Sequence, residues 1–447
     1  MLLIIAPSPD HFQAFNLYIC MCIRSLILLY YQMNIDKRLT ENKMKLSEEL
    51  KWRGFTNQTT YEDIKVLDEE PITFYFGADP SADSLTIGNL AATMMVRCFI
   101  DHGHKAYLLV GGATGMIGDP DGISNERNLK TLDEITKNKV AIAAQYNQIF
   151  AGKEFTLVDN YDWFKDINYL DFLRNIGKYV PMSQMLSREF VQSRLGASGS
   201  GISYAEFSYA LIQGYDFVHL FRKYGVTLQL CGADQWGNSI AGVDLIRRLD
   251  GKDVNVYSTP LITNKTTGTK FGKSEDGAIW LDANKTSVYK FYQFWLNVDD
   301  GGVIDYLKIF TLLDKQQIDE FSAQLAQNPS ARDAQKALAR EVTTIVHGKA
   351  RTESVERVTG VLFGNADFST LETADMDMLA SEIPVAATGK FLVEILVESG
   401  LATSNGEARR LITSGAVTIS SQKITEDRQI NEKCLIKKGK NSFVLVR

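Results

Sequence analysis

The sequence is poor in cysteine. The five thiols, Cys20, Cys22, Cys98, Cys231 and Cys434, are odd in number, scattered, and lack the spacing of a zinc site. A disulfide framework and a zinc ribbon are therefore excluded, and the pattern reads as reduced thiols in a cytoplasmic protein. No second pair completes Cys20–Met21–Cys22. An excess of positive charge is also missing: the net charge is −6, which excludes a basic nucleic-acid coat. There are no internal repeats and no low-complexity segment. No G-x-x-x-x-G-K-[ST] lies between a strand and a helix, so a Walker loop is absent. What is present is an ordinary globular balance, 45% hydrophobic and 23% charged, over 447 residues. That length accommodates two to four domains.

One long apolar run stands apart. Phe15 to Met33 carries a single charge, Arg24, and is long enough to suggest a membrane anchor or a signal sequence. No basic region precedes it and no small-residue cleavage site follows. The expectation is an N-terminal extension over residues 1–43, either not native or disordered, with Met33 or Met44 as the start and no stable membrane association. A membrane-tethered form is the competing reading.

From about Met44 to Pro260, strand-like runs alternate with helical segments. Ile72–Phe76 reads as a strand and Ile87–His102 as a helix stopped by Gly103. Ala106–Val110 reads as the next strand. Strand, crossover helix and strand imply a parallel sheet with its ligands beyond the carboxyl ends of the strands. The predicted units are an α/β domain over 44–285, an all-α domain over 286–363, an acidic linker over 364–389 and a small α+β module over 390–447. From Thr388 to Arg447 there are ten Lys/Arg and six Asp/Glu, a local net of +4 that hints at a polyanionic partner.

Several stretches carry candidate chemistry. In "YAEFSYALIQGYDFVHLF", Tyr209, Gln213 and Asp216 share one helix face opposite the apolar one. On spacing alone this is either a solvated polar face or the wall of a pocket for an amino acid, which would use the same three groups. "TKFGKSED" places Lys270 and Lys273 around Gly272 on a mobile loop. It reads as an ordinary turn or as a clamp for polyphosphate charge. "CGADQWGN" puts Gly232, Asp234 and Gln235 at a strand end, and "GGATGMIGDP" adds Asp119. Both suit the close approach of a nucleotide or small polar ligand. In the tail, Arg409, Arg410, Lys423, Lys437, Lys438 and Lys440 would track RNA phosphates, or the two arginines form helix-face salt bridges with Glu407 or its neighbours.

In combination the motifs "YFGADPSADSLTIGNL", "VGGATGMIGDP", "EFSYALIQGYD", "ADQWGN" and "KFGKS", in this order, resemble the bacterial tyrosyl-tRNA synthetases, class I enzymes. The resemblance spans Met44 to Arg447. It implies a Rossmann-like catalytic domain with the KFGKS loop, an all-α anticodon-side domain and an S4-like RNA-binding domain. It further implies ATP as substrate with Mg²⁺ bound to it and no protein metal ligand. Tyrosine, tRNA(Tyr) and a second copy of the chain are the implied partners. By resemblance, Tyr75 and Asp216 meet the substrate phenol. Asp119, Tyr209 and Gln213 meet its ammonium, with Gln229 and Gln235 nearby. Gly77, Asp79, Ser81, Gly88, Gly232 and Asp234 match ATP contacts, with Ser81 where relatives carry threonine. Arg127, Lys270, Lys273 and Ser274 match the phosphate side, and Lys273 also contacts ATP. Three departures stand out. Thr86 and Asn89 occupy the histidine positions of the "HIGH" signature, Ile123 replaces a lysine, and Cys231 replaces a glycine. The alternative that Thr86, Asn89 and Ile123 motivate is a catalytically silent RNA-binding relative.

Overall fold

A computed structural model describes residues 44–120, 129–195, 201–265, 267–269, 271–274, 277–364 and 366–447. The apolar run Phe15–Met33 lies outside the described residues, as do Ile123, Arg127 and Lys270. Five strands, β1 (Thr73–Ala78), β2 (Lys105–Val110), β3 (Thr156–Val158), β4 (Leu228–Gly232) and β5 (Asn255–Thr259), form one sheet in the order β3-β2-β1-β4-β5. Every neighbouring pair is parallel. Tyr75 sits beside Tyr107 on β2 and beside Gln229 on β4. A parallel sheet needs crossovers, supplied by α1 (Ile87–Asp101), then by α2 (Gly112–Ile117) and α3 (Leu132–Ile149). The chain builds outward from β1 on one side, then returns to place β4 on the other. The carboxyl ends of β1 and β4 therefore flank the crevice where such sheets bind ligands.

Strand β1 begins one residue later than the sequence pattern suggests and runs on through Ala78. Helix α1 ends at Asp101, with His102 as its C-cap. The short helix α4 (Tyr161–Phe164) follows β3, and α5 (Tyr204–Tyr224) and α6 (Trp236–Asp250) flank β4. The start of α5 is fixed twice. Ser203 Oγ accepts from the Glu206 N–H, and the Glu206 carboxylate receives both Arg194 Nη groups at 3.0 Å. Gly225, at φ 68°, ends the helix in a left-handed turn.

Beyond the sheet, α7 (Val288–Leu296), α8 (Val303–Phe310), α9 (Lys315–Gln327), α10 (Asp333–His347) and α11 (Lys349–Phe363) give the expected helical part. Its core residues Phe291, Trp295, Phe310 and Leu338 join Phe74, Leu90 and Phe99 in one apolar cluster. The chemistry and the helical bundle thus rest on a common core. Segment 364–389, read as a linker, is folded. It holds α12 (Thr373–Glu382), and Val385–Ala386 pairs in parallel with the last strand, Ser442–Val446. Its acidic character has a structural use. Buried Asp375 accepts from Arg357 Nε at 2.7 Å and from the Glu372 N–H at 2.9 Å. The C-terminal module has its own apolar core around Leu392, Ile395, Ile412 and Ile436. Leu435, Phe443 and Leu445 dock it against Val358 and Leu362 of α11.

One buried histidine beside β1 makes the fold pH-sensitive. His104 Nδ1 accepts from the Ile72 N–H at 3.0 Å, so its ring must stay neutral there. Burial lowers its pKa from 6.5 to about 4. The unfolded chain takes up this proton first, so His104 contributes fully above pH 6.5, and the contribution fades as the pH falls toward 4. The loss amounts to about 3 kcal/mol. Urea unfolding at pH 7 and pH 4.5 should show a smaller difference for His104→Gln, which keeps an acceptor for Ile72 and cannot titrate.

Candidate active site

The floor of the crevice holds two buried groups, Tyr75 and Asp216, each 1% exposed. The Tyr75 hydroxyl has no hydrogen-bond partner among the described residues. Burial, and then the neighbouring Asp216 carboxylate, push its pKa well above the phenol range, so it remains a neutral donor and acceptor. Asp216 Oδ1 accepts from Trp163 Nε1 at 3.0 Å, and Oδ2 accepts from Asn160 Nδ2 at 3.1 Å. Burial raises the Asp216 pKa, and these two donors counter it. A buried hydroxyl lacking a partner beside a half-coordinated carboxylate is what a ligand hydroxyl would satisfy.

A second polar group lies toward the strand ends. Asp79 Oδ2 accepts from the Tyr209 hydroxyl at 2.7 Å, and Oδ1 accepts from Thr114 Oγ1 at 2.6 Å. Thr114 in turn accepts from Asn160 at 3.1 Å, which ties this group to Asp216. Asp119 accepts from Gln235 Nε2. Asp79, Asp119 and Asp216 all act on buried Tyr209, whose pKa is pushed well up, by burial first and then by these charges. Gln213 Oε1 is buried without a partner among the described residues, and Gln229 is buried beside Tyr75 on β4. The solvated-face reading of Tyr209, Gln213 and Asp216 is overturned: this face of α5 points inward. Near Tyr209, the carboxylates of Asp79 and Asp119 and the Gln213 amide oxygen are acceptors of the kind that suit an ammonium group.

The glycines of "GGATG" serve the protein's own carboxylates. A Cβ at Gly111 would lie 2.6 Å from Asp79 Oδ1, and one at Gly112 would lie 2.4 Å from Asp159 Oδ1. Gly112 N–H and Ala113 N–H donate to Asp159 and Asn160 at the end of β3. Sequence reasoning missed Asn160, Trp163 and Thr114. The three-residue strand that delivers "DNYDW" is too short to stand out, and its position at a strand's carboxyl end was the available signal.

At the mouth, "TIGN" is a helix start. Asn89 Oδ1 accepts from both the Thr86 N–H (3.0 Å) and the Thr86 hydroxyl (2.9 Å). This capping box opens α1, so its dipole favours an anion there. The Ile87 N–H is taken by the Ile279 carbonyl at 3.1 Å. Exposed Gly88 and the Asn89 amide nitrogen face outward at this turn. Thr86→Ala should lower stability by about 1 kcal/mol through the lost hydroxyl bond to Asn89. A loss in adenylate formation larger than this, measured by pyrophosphate exchange, would place the hydroxyl on the phosphates as well.

The KFGKS loop crosses this turn. Lys273–Ser274 pairs with Gly277–Ala278 in a short hairpin. Gly272, at φ 97°, lies so close that a Cβ would come within 2.8 Å of Ile87 Cγ1 and 3.6 Å of the Gly88 nitrogen. Phe271 is buried and stacked on Tyr306 of α8 at 4.3 Å. Of the remaining sequence candidates, exposed Gly77 lies near the end of β1 and exposed Ser81 just beyond it. Gly232 ends β4, with exposed Asp234 two residues on. In the tail, Arg409, Arg410 and Lys423 are exposed. Lys437 and Lys438 instead donate to the carbonyls of Leu362 (3.0 Å) and Leu401 (2.6 Å). Lys437 thereby pins the C-terminal module to α11.

A parallel sheet with a nucleotide-type mouth, a polar amino-acid pocket and an appended basic module defines a class I aminoacyl-tRNA synthetase. The family described as "tRNA synthetases class I (W and Y)" matches residues 67–364, and the "Tyrosine--tRNA ligase SYY-like C-terminal domain" matches 372–447. The chain belongs to the first family and, within it, to the tyrosine–tRNA ligases. It is 42% identical over 419 residues to the tyrosine–tRNA ligase of Limosilactobacillus reuteri, covering 90% of this chain and 100% of that one. It is 43% identical over 423 residues to that of Flavobacterium psychrophilum, covering 90% and 96%. Among solved structures, a C-terminally truncated mitochondrial tyrosyl-tRNA synthetase of Aspergillus nidulans aligns with a TM-score of 0.63 and 29% identity. That alignment covers 71% of this chain and 94% of that one.

Proposed function

We propose that the crevice between β1 and β4 binds tyrosine by its hydroxyl and its ammonium and activates it with ATP. The observation that carries this reading is the buried Tyr75 hydroxyl, lacking a partner among the described residues and set beside the Asp216 carboxylate. The tyrosine carboxylate oxygen attacks the α-phosphorus of ATP. A new P–O bond forms, the bond to the bridging oxygen breaks, and pyrophosphate leaves with that electron pair. The 3′-terminal ribose of tRNA(Tyr) then takes the tyrosyl group and AMP departs. The nucleophile of the first step is already ionised, so no general base is needed, and rate comes from positioning and charge stabilisation. Mg²⁺ accompanies ATP as its counter-ion. Among the described residues no acidic or imidazole cluster could hold a metal.

Gly77, Asp79, Ser81, Gly88, Gly232 and Asp234 are assigned to ATP, and Arg127, Lys270, Lys273 and Ser274 to its phosphates. Arg409, Arg410, Lys423, Lys437 and Lys438 are assigned to RNA: the first three are exposed with no side-chain partner among the described residues, and the last two also donate to the Leu362 and Leu401 carbonyls. A homodimer is supported by exposed Tyr169, Leu170 and Tyr204, the two phenols lying 3.3 Å apart, and sedimentation would test it. Among the described residues no helix is long and apolar enough to cross a membrane, and the cytoplasm is the proposed location. Tyrosine-dependent exchange of pyrophosphate into ATP, followed by charging of tRNA, tests the whole reading. A pure, folded protein that exchanges nothing would sink it in favour of a silent RNA-binding relative.

A further inference from the structure

Asp119 is held from behind by a chain of side chains. Gln235, its partner, accepts through Oε1 from Asn238 Nδ2 at 3.2 Å. Asn238 Oδ1 accepts from Arg188 Nη1 at 2.5 Å, and Arg188 Nη2 also donates to the Gly237 carbonyl at 2.8 Å. Asn238 is buried, so solvent does not compete for its amide. Arg188 lies outside every motif, between the short helices Met182–Leu186 and Glu189–Leu195.

The ends of this chain fix its direction. A guanidinium only donates and an ionised carboxylate only accepts. The two amides between them have nearly the same shape in either flip, and hydrogen bonds alone choose between the flips. With a donor-only group at one end and an acceptor-only group at the other, one arrangement satisfies every link: Arg188 to Asn238, Asn238 to Gln235, Gln235 to Asp119. We propose that Arg188 is a positioning residue for the amino-acid site. It sets the flip of Asn238, and through it that of Gln235, so that an N–H and not a carbonyl oxygen faces Asp119. A flipped Gln235 would set oxygen against carboxylate and turn Asp119 away from its bound orientation. The inference rests on the reading of Asp119 as an acceptor for the substrate ammonium.

The test uses the full-length protein. Arg188→Ala should raise the tyrosine KM in pyrophosphate exchange about tenfold while the ATP KM changes by less than about twofold. Asn238→Asp keeps an acceptor for Arg188 but has no N–H for Gln235, and should show the same loss. Arg188→Lys, which can still donate to Asn238, should recover most of the affinity. Two inhibitors separate positioning from general damage. Tyramine, which has the ammonium, should lose affinity in the Arg188→Ala and Asn238→Asp variants. 3-(4-Hydroxyphenyl)propionate, which lacks it, should not. Unchanged tyrosine KM in both variants, or equal losses for the two inhibitors, would overturn the proposal. Asp119→Asn isolates the underlying reading. If it leaves tyramine binding intact, the ammonium assignment fails. If it weakens tyramine while the Arg188 and Asn238 variants do not, only the relay fails. Should Arg188→Ala not fold, Asn238→Asp and Arg188→Lys decide the matter.

Discussion

Asp216→Asn is expected to lower kcat/KM for tyrosine by about 10²- to 10³-fold in pyrophosphate exchange, with the ATP KM nearly unchanged. The size follows from what surrounds this carboxylate. Each oxygen already accepts from a buried donor, Trp163 Nε1 on one side and Asn160 Nδ2 on the other. An asparagine must turn its amide nitrogen toward one of them, whichever flip it takes. One donor then faces another in a buried site, an arrangement that costs about 1–3 kcal/mol. The substrate hydroxyl also exchanges a charged acceptor for a neutral or misdirected one, a further loss of about 1.5–3 kcal/mol. The same change should narrow the preference for tyrosine over phenylalanine, because the wild-type site leaves buried polar groups unpaired when the hydroxyl is missing. Competition assays with the two amino acids would measure it. An unchanged ratio, with tyrosine kinetics intact, would remove Asp216 from the phenol site.

Lys273→Ala should act on the other half of the reaction. Adenylate formation is expected to slow by about 10²- to 10³-fold, the usual loss when one preorganised transition-state donor is removed. The tyrosine dissociation constant should stay within about twofold. Lys273 begins the hairpin that follows Gly272, and Gly272 packs directly on Ile87 and Gly88 at the start of α1. The loop therefore crosses the helix end where an anion is favoured, not the buried floor at Tyr75 and Asp216 proposed for the tyrosine ring. Rapid-mixing measurements that separate binding from chemistry would show the split, and equal losses in both constants would contradict this role. The turn beneath the loop has a matching logic. Thr86 and Asn89 hold each other in a capping box, which preserves the helix start without the histidines of the HIGH signature.

Residue pattern alone placed the first strands and their crossover helix and grouped three polar residues on one helix face. Alternating apolar runs predicted a parallel sheet because strand and crossover helix have different periods, and α1 and the first two strands lie within two residues of that reading. Tyr209, Gln213 and Asp216 were grouped by helical spacing, a local property of the backbone. Whether that face met water or a pocket was not local. It was decided when β1 and β3 brought Tyr75, Asp79 and Asn160 against α5. The same holds for the acidic stretch 364–389. Its charges look like those of a linker until Arg357, on a preceding helix, pairs with buried Asp375. Lys437 and Lys438, read as RNA contacts, also meet carbonyls that only the fold brings to them. The relay from Arg188 to Asp119 joins residues 69 positions apart in the chain. Sequence thus set the chemistry each segment could offer. Tertiary structure decided which donors met which acceptors, because burial makes every unpaired polar group expensive and only the folded chain brings distant partners within bonding distance.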